Sequence, residues 1–111
     1  MTPNEYQILA SRTMNPKLTK EQELNHALYG MVGEIGEIHS IYQKELQEHP
    51  IDLVHVQKEC GDLLWFIAEL HTHYGWSLED TMKMNIEKLK KRYPDKGFDA
   101  DRSLHRAAND I

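Results

Sequence analysis

Residues 24–42 read LNHALYGMVGEIGEIHSIY. Large apolar side chains recur in this stretch at alternating steps of four and three residues, at Leu24, Leu28, Met31, Ile35, Ile38 and Tyr42. That spacing keeps the apolar side chains on one side of an α-helix, where they can face a partner helix. The stretch therefore predicts one long amphipathic helix that packs against another helix.

Helix-capping signals extend this prediction to the rest of the chain. Thr19 with Gln22 forms a capping box in front of the long helix. The first predicted helix runs from near Thr2 to near Met14, and the second from near Thr19 to before Pro50. The third runs from near Asp52 to Gly75, and the fourth from near Ser77 to before Pro94. Asp99 caps a short helix over residues 100–108 or begins an arm. Because no segment alternates like a strand, we expect an all-α, four-helix-bundle-type fold in one domain, residues 1–111.

The size and charge of the chain limit its expected partners. It has 111 residues and a formal net charge of -5. A surface that follows the phosphates of duplex nucleic acid needs clustered excess Lys and Arg, so we expect no duplex nucleic acid partner. A helical domain of this size buries a limited share of its surface, which favours packing against copies of itself.

Cysteine content and apolar runs indicate a compartment. Cys60 is the single cysteine, so no internal disulfide can form, and we expect a buried thiol. The first twenty residues lack the charged start and apolar run of a secretory signal. The longest apolar run, residues 63–68, is far shorter than the roughly 20 residues that cross a bilayer. We therefore expect a cytoplasmic protein without a membrane partner.

Four acidic residues stand out on the two longest predicted helices. Glu34 and Glu37 are three residues apart on one helix, and Glu59 and Asp62 repeat that spacing on the next. Side chains at this spacing leave one side of a helix about 5–6 Å apart. Because the turn between the helices makes them antiparallel neighbours, the two acid pairs can face each other.

Carboxylates held this close repel one another, and burial makes their ionisation costly unless a cation compensates. Oxygen ligands alone suit Mg²⁺ or Mn²⁺, and magnesium sites are commonly completed by water and substrate phosphates. The acid pairs thus predict a divalent-metal site beside a phosphate-bearing substrate. A solvated acidic helix face is the alternative that the spacing alone also allows.

Two further features favour a site over a solvated face. Three glycines weaken the long helix by roughly 1 kcal/mol each relative to alanine. One of them, Gly30, lies one turn before Glu34, where it could leave room for a phosphate or another helix. Asn85, Lys88 and Arg92 lie along one side of the fourth helix, where the cations could meet phosphate oxygens. A solvated basic face is the alternative for these three residues.

The two acid pairs resemble the signature of the MazG-like all-α nucleoside triphosphate pyrophosphohydrolases. They consist of E-x-x-E at Glu34 and Glu37, a gap of twenty-one residues, and E-x-x-D at Glu59 and Asp62. The flanking segments NHALYG at residues 25–30 and NIEKLKKRYP at residues 85–94 are also similar to segments of this family. The resemblance covers roughly residues 19–98. It implies a bundle of four or more helices, assembled as a homodimer or a dimer of dimers.

The resemblance also implies a reaction. Magnesium bound by the four acids would take part in cleavage of a nucleoside triphosphate between its α and β phosphates, which yields a nucleoside monophosphate and pyrophosphate. One carboxylate not fully used by metal could accept a proton from the attacking water, and we favour Glu37 over Glu34 for this role. Asn85, Lys88 and Arg92 would orient the polyphosphate.

Four other residues are candidates for contact with the base or sugar. Phe66 lies one turn beyond Asp62, and Trp65 borders it, so either could stack on a nucleobase, although core packing also explains both. Asn25 and His26 belong to the family-like segment and could contact a base edge or the sugar.

Two rival functions fit parts of the sequence. The pairs Glu23-x-x-His26 and Asp52-x-x-His55 imitate the Glu-x-x-His spacing of di-iron carboxylate bundles, but they lie toward helix ends. A non-catalytic helical oligomerisation module would use its apolar stripes to bind partner helices. That module explains the stripes but not the acid pairs, so we favour the hydrolase.

Overall fold

A computed structural model describes residues 1–95 and 97–111 of the chain. It contains five helices and, in the described part, no strand, which confirms the all-α prediction. The helices are α1 (Pro3–Ser11), α2 (Lys20–Glu45), α3 (Leu53–Tyr74), α4 (Leu78–Arg92) and α5 (Ala100–Leu104).

The capping signals define the ends of the long helices as predicted. The Thr19 hydroxyl accepts a hydrogen bond from the Gln22 backbone N–H, and the Gln22 side chain accepts one from the Thr19 N–H in return. Asp52 caps α3 by accepting from the His55 N–H. Gly75 ends α3 with φ 71°, in the left-handed region that a side chain disfavours. These contacts satisfy backbone groups that a helix end leaves unpaired.

Two predicted helix ends were wrong. The first helix ends at Ser11 rather than near Met14, because the backbone N–H groups of the next three residues bond to carbonyls three residues back instead of four. The Thr13 hydroxyl donates to the Ala10 carbonyl at 2.8 Å and accepts from the Trp65 indole N–H at 2.7 Å. The last helix ends at Leu104 rather than Ala108.

The chain divides into two compact units, residues 1–77 and residues 78–111. In the first unit, α1 and α2 both pack against α3. Contacts from His26 to Glu69 and from Glu23 to His73 show that α2 and α3 run antiparallel, because residues early in α2 meet residues late in α3. The predicted single domain over residues 1–111 stays a prediction.

Few apolar side chains of the single chain are buried. In the described part they are three alanines and Ile41 in the first unit, and Leu78 in the second. Leu28, Val32 and Ile35 lie on one side of α2 at helical spacing, yet they remain 42%, 71% and 57% exposed. An apolar flank of α2 is therefore uncovered in one chain.

Helix α3 is also less covered than the sequence suggested. The run of residues 63–67 is apolar nearly all round, which predicts burial on more than one side, either within a bundle or at a subunit contact. In the single chain Leu64 is 52% exposed, so burial at a subunit contact stays a prediction. The predicted burial of the Cys60 thiol was wrong, since Cys60 is exposed. Cys60 precedes Leu64 by one turn, so the two residues share the exposed side of the helix.

None of the helices in the described part is both long enough and apolar enough to cross a membrane.

Gly30→Ala is expected to destabilise the protein by about 1–3 kcal/mol, because a Cβ atom there would overlap the ring of Phe66. His26 and Trp65 hold that ring, with centroids 5.4 and 5.1 Å away. Urea denaturation without added metal measures the loss. Gly36→Ala is the matched control, because its Cβ would meet nothing within 4 Å, and a gain of up to about 1 kcal/mol is expected. Equal stability of both variants would contradict the packing of Phe66 on Gly30.

Candidate active site

Three of the four predicted acids come together between α2 and α3. One carboxylate oxygen from each of Glu34, Glu59 and Asp62 lies within 4.8 Å of the others. Glu34 comes from α2, and the other two come from α3, one turn apart. The antiparallel packing of the two helices thus brings the acidic side chains of α2 and α3 face to face.

The trio is electrostatically strained around Glu34, which is half-buried. A hydrogen bond shared with Glu59, burial, and the negative charges of Glu59, Asp62 and Glu37 raise the pKa of Glu34 to about 7. The same hydrogen bond, together with His55, lowers the pKa of Glu59. Below about pH 7, a proton shared by this pair is therefore favoured on Glu34 rather than on Glu59. Its Oε2 atom is buried and has no hydrogen-bond partner among the described residues.

Two neighbours of the trio were not recognised as site residues from the sequence. The His55 imidazole lies 3.0 Å from Glu59, Nε2 to Oε1, and so orients one of the candidate ligands. The four-residue spacing from His55 to Glu59 could have revealed this contact. The pKa of Tyr6 on α1 is raised, mainly by burial and also by the charge of Asp62. No spacing in the sequence connects Tyr6 with Asp62.

Glu37 does not join the trio, although the sequence placed all four acids in one cluster. Three residues advance a helix by about 300°, so Glu37 is turned by about 60° from Glu34 toward solvent. It is exposed. Its charge still contributes to the raised pKa of Glu34, so Glu37 lies at the rim of the cluster.

The residues present fit a hard divalent cation. Among the described residues, only Glu34, Glu59 and Asp62 form a group of three or more possible ligand side chains. All three offer oxygen, which suits Mg²⁺ or Mn²⁺. The buried, unpartnered Oε2 of Glu34 is an acceptor that a cation would satisfy.

A second cluster contains three of the residues predicted to contact a base or sugar. The His26 ring lies against Phe66 and Trp65, with centroids 5.4 and 6.0 Å away. Its Nδ1 donates to Glu69 Oε1 at 2.7 Å, and Glu69 is only 1% exposed. Gly30 makes room for Phe66 rather than for a phosphate. Asn25 is half-buried next to His26 in the chain.

The residues that could form a di-iron site do not come together in the structure. Glu23 accepts from His73 Nδ1 at 3.0 Å, while His26 pairs with Glu69. They form two separate pairs between α2 and α3, and no group of three or more ligands includes them in the described part of the chain. Asp52 serves as the cap of α3.

The three predicted phosphate contacts on α4 differ in their surroundings. Asn85 is exposed, and Lys88 is half-buried. Arg92 is paired with an acid of the chain itself, and its predicted contact with phosphate stays a prediction. Its Nε and Nη2 atoms each donate to the Asp110 carboxylate at 2.8 Å, and both side chains are nearly buried. The chain itself therefore occupies the guanidinium.

Comparisons with known proteins bear on the whole acid-bearing region. A family model of the MazG nucleotide pyrophosphohydrolase domain matches residues 22–97. The gene 37 protein of Mycobacterium phage L5 is 34% identical over 77 residues, an alignment that covers 62% of this chain and 65% of the phage protein. No solved structure matches the chain. Because the matched region spans more than half of the sequence and contains all four acids, the chain belongs to the MazG nucleotide pyrophosphohydrolase family.

Proposed function

We propose that the protein hydrolyses nucleoside or deoxynucleoside triphosphates between the α and β phosphates, with Mg²⁺ as cofactor. The products are a nucleoside monophosphate and pyrophosphate. The observation that carries this proposal is the convergence of Glu34, Glu59 and Asp62 within 4.8 Å inside a domain of this family. The buried, unpartnered oxygen of Glu34 supports it, because a solvated acidic face leaves no such atom.

Each acid has a distinct part in this proposal. Glu34, Glu59 and Asp62 would hold the divalent ion, and His55 would fix the orientation of Glu59. When bound, such an ion supplies positive charge to a polyphosphate and makes a nearby water more acidic. Glu37 is exposed at the rim, outside the trio, and so is free to accept the proton of the attacking water.

The cluster around His26 is proposed as the contact for the base or sugar. The bond from Nδ1 to Glu69 leaves Nε2 of a neutral imidazole as the hydrogen-bond acceptor. Trp65 is held by Thr13, and Phe66 is held over Gly30, so both rings are rigid neighbours of His26. Two turns of α2 separate His26 from Glu34, which leaves room for a sugar between base and phosphates.

We further propose that the protein works as a homodimer or a dimer of dimers. The apolar side of α2 formed by Leu28, Val32 and Ile35 supports this, as does the exposed side of α3 with Cys60 and Leu64. Contiguous apolar surface of this kind is typical of an interface between chains. A second copy would supply the apolar burial that the small core of one chain lacks.

Release of pyrophosphate from a panel of ribo- and deoxynucleoside triphosphates, with and without Mg²⁺, tests the activity. We expect Mg²⁺-dependent release of pyrophosphate, not of phosphate, from at least one substrate. Phosphate release would indicate cleavage at the γ position and contradict the proposed bond. A folded protein that releases pyrophosphate from no substrate would favour the non-catalytic oligomerisation module.

A further inference from the structure

Glu69 on α3 is an acid that the proposed mechanism does not use. It is only 1% exposed and is the largest fully buried side chain among the described residues. It lies two turns beyond Asp62 on the helix, outside the acid trio. Because burial of a carboxylate costs stability, such a position would ordinarily hold an apolar side chain. The contacts of Glu69 therefore indicate what the acid does.

The side chain that Glu69 holds is His26 on α2. Glu69 Oε1 accepts a hydrogen bond from His26 Nδ1 at 2.7 Å, while Oε2 has no hydrogen-bond partner among the described residues. The imidazole is 45% exposed, whereas the carboxylate is 1% exposed. A ligand can thus reach His26 but not Glu69. Glu69 can act on a ligand only through the orientation and hydrogen bonding of the imidazole.

The carboxylate determines which nitrogen of His26 carries the hydrogen. A carboxylate offers only acceptors, so it keeps the hydrogen of a neutral imidazole on Nδ1. Nε2 then offers a lone pair, which can accept a hydrogen bond but cannot donate one. A glutamine of the same shape would not impose this arrangement, because its amide can either accept from Nδ1 or donate to it.

An imidazole that only accepts distinguishes amino bases from keto bases. Cytosine carries an amino group where uracil carries a carbonyl, and adenine carries one where hypoxanthine carries a carbonyl. The amino group can donate to Nε2, whereas a carbonyl would face it as a second acceptor and leave both atoms unpaired. The rings of Trp65 and Phe66 lie next to His26 but cannot make this distinction, because stacking on an aromatic ring tolerates every base.

We propose that Glu69 is a positioning residue that fixes His26 as a hydrogen-bond acceptor, and that the pair thereby selects amino bases over keto bases. The inference rests on the proposed function, in which His26 contacts the base, and it names the class of base that this contact favours. Cytosine and adenine nucleotides are favoured over uracil and hypoxanthine nucleotides. Glu69 itself contacts His26 and not the substrate.

Base preference is measured as the ratio of kcat/KM within two matched pairs of substrates, dCTP with dUTP and dATP with dITP. Pyrophosphate release is followed at pH 8.5, which favours neutral imidazoles. In each pair that it hydrolyses, the wild type is expected to prefer the amino member by at least about tenfold, mainly through KM. No preference, or a preference for the keto member, would overturn the proposal.

Glu69→Gln tests the role of Glu69 in this preference. The ratio is expected to shrink to about threefold or less, because Nε2 is no longer held as an acceptor. A purely structural role would lower kcat/KM alike for both members of a pair, and an unchanged ratio would therefore overturn the proposal.

Glu23→Gln is the matched control for this variant. The Glu23 carboxylate accepts from His73 Nδ1 at 3.0 Å between the same two helices, so the substitution makes the same chemical change in a second pair of this kind. His73 is not part of the ring cluster around His26, and we expect the wild-type ratio. An equal loss of preference in Glu23→Gln would assign the effect to helix packing and overturn the proposal.

Affinity measurements separate this inference from the proposed hydrolysis. Isothermal titration of the wild type uses analogues of the four substrates with a methylene bridge between the α and β phosphates, which resists the proposed cleavage. If the wild type hydrolyses nothing yet binds the amino analogue of a pair at least about tenfold more tightly, the proposed function fails and the base selection stands. Equal affinities within both pairs would overturn the base selection, even with hydrolysis intact.

Discussion

Glu34→Gln is expected to reduce pyrophosphate release at least about a thousandfold while it stabilises the metal-free protein. The loss of activity follows because the variant removes the central carboxylate of the trio, which lies within 4.8 Å of both Glu59 and Asp62. The gain in stability follows because a neutral amide of the same shape ends the repulsion among three carboxylates. Activity and stability should therefore change in opposite directions.

The size of the stability gain depends on pH. At pH 8 Glu34 is ionised in the wild type, since its pKa is about 7, and the repulsion is fully present. After a discount for the partial exposure of Glu34, we expect the variant to be more stable by about 1–2 kcal/mol at this pH. Urea denaturation at pH 8 measures this difference, and a discontinuous pyrophosphate assay measures activity.

Glu45→Gln provides the matched control for both measurements. Glu45 is an exposed acid at the end of the same helix and lies outside the trio, so we expect a change within about 0.5 kcal/mol and full activity. A Glu34→Gln variant that is less stable than the wild type without metal would contradict the proposed repulsion. Full activity in that variant would eliminate the trio as the catalytic centre.

The sequence predicted the parts of the site that depend on local spacing. Glu34, Glu59 and Asp62 meet because helix periodicity and an antiparallel turn determine which sides face each other. The helix caps at Thr19 and Asp52 were also predictable from the sequence, because each cap needs only a side chain that bonds to the backbone N–H three residues later. Glu37 shows the limit of such reasoning, because a rotation of about 60° on the helix is enough to move a carboxylate from the cluster to its rim.

Contacts between distant residues were not predictable from spacing. Arg92 and Asp110 are separated by eighteen residues without a continuous helix, so nothing in the sequence pairs them. Glu69 could not be recognised as the partner of His26, because a buried acid and an exposed acid look alike in a sequence. The role of Gly30 was also ambiguous, since only the position of the Phe66 ring shows what fills the space.

The protection of the wild type by Mg²⁺ should weaken as the pH falls below 7. The folded protein raises the pKa of Glu34 from the usual 4.5 to about 7, so between these values it holds a proton that the unfolded chain lacks. Without metal, the stability contributed by this proton is present at low pH and is lost as the pH rises toward 7 and above. Metal binding requires the ionised carboxylate and therefore competes with the same proton.

This competition predicts how steeply the apparent affinity for Mg²⁺ depends on pH. For each pH unit below 7 the apparent affinity for Mg²⁺ should fall about tenfold, because one proton must leave for each ion bound. If the Mg²⁺ concentration is set to about 100 times the dissociation constant at pH 8, the ion should add roughly 2.7 kcal/mol of stability. At pH 6 the same concentration should add only about half as much. Urea denaturation with and without Mg²⁺ at both pH values measures the two increments.

Glu34→Gln separates this effect from the titration of histidines in the same range. His26, His55 and His73 are present in both proteins, so their contribution to stability cancels in the difference between variant and wild type. Without metal that difference should be about 1–2 kcal/mol at pH 8. It should narrow as the pH falls below 7 and close only below about pH 4.5, where Glu34 is protonated in the folded and the unfolded wild type alike. In the variant, Mg²⁺ should add little stability at either pH.

A difference in metal-free stability between variant and wild type that does not vary with pH would mean that Glu34 does not carry the shared proton. A Mg²⁺ increment of equal size at pH 6 and pH 8 would mean that the ion does not bind at Glu34.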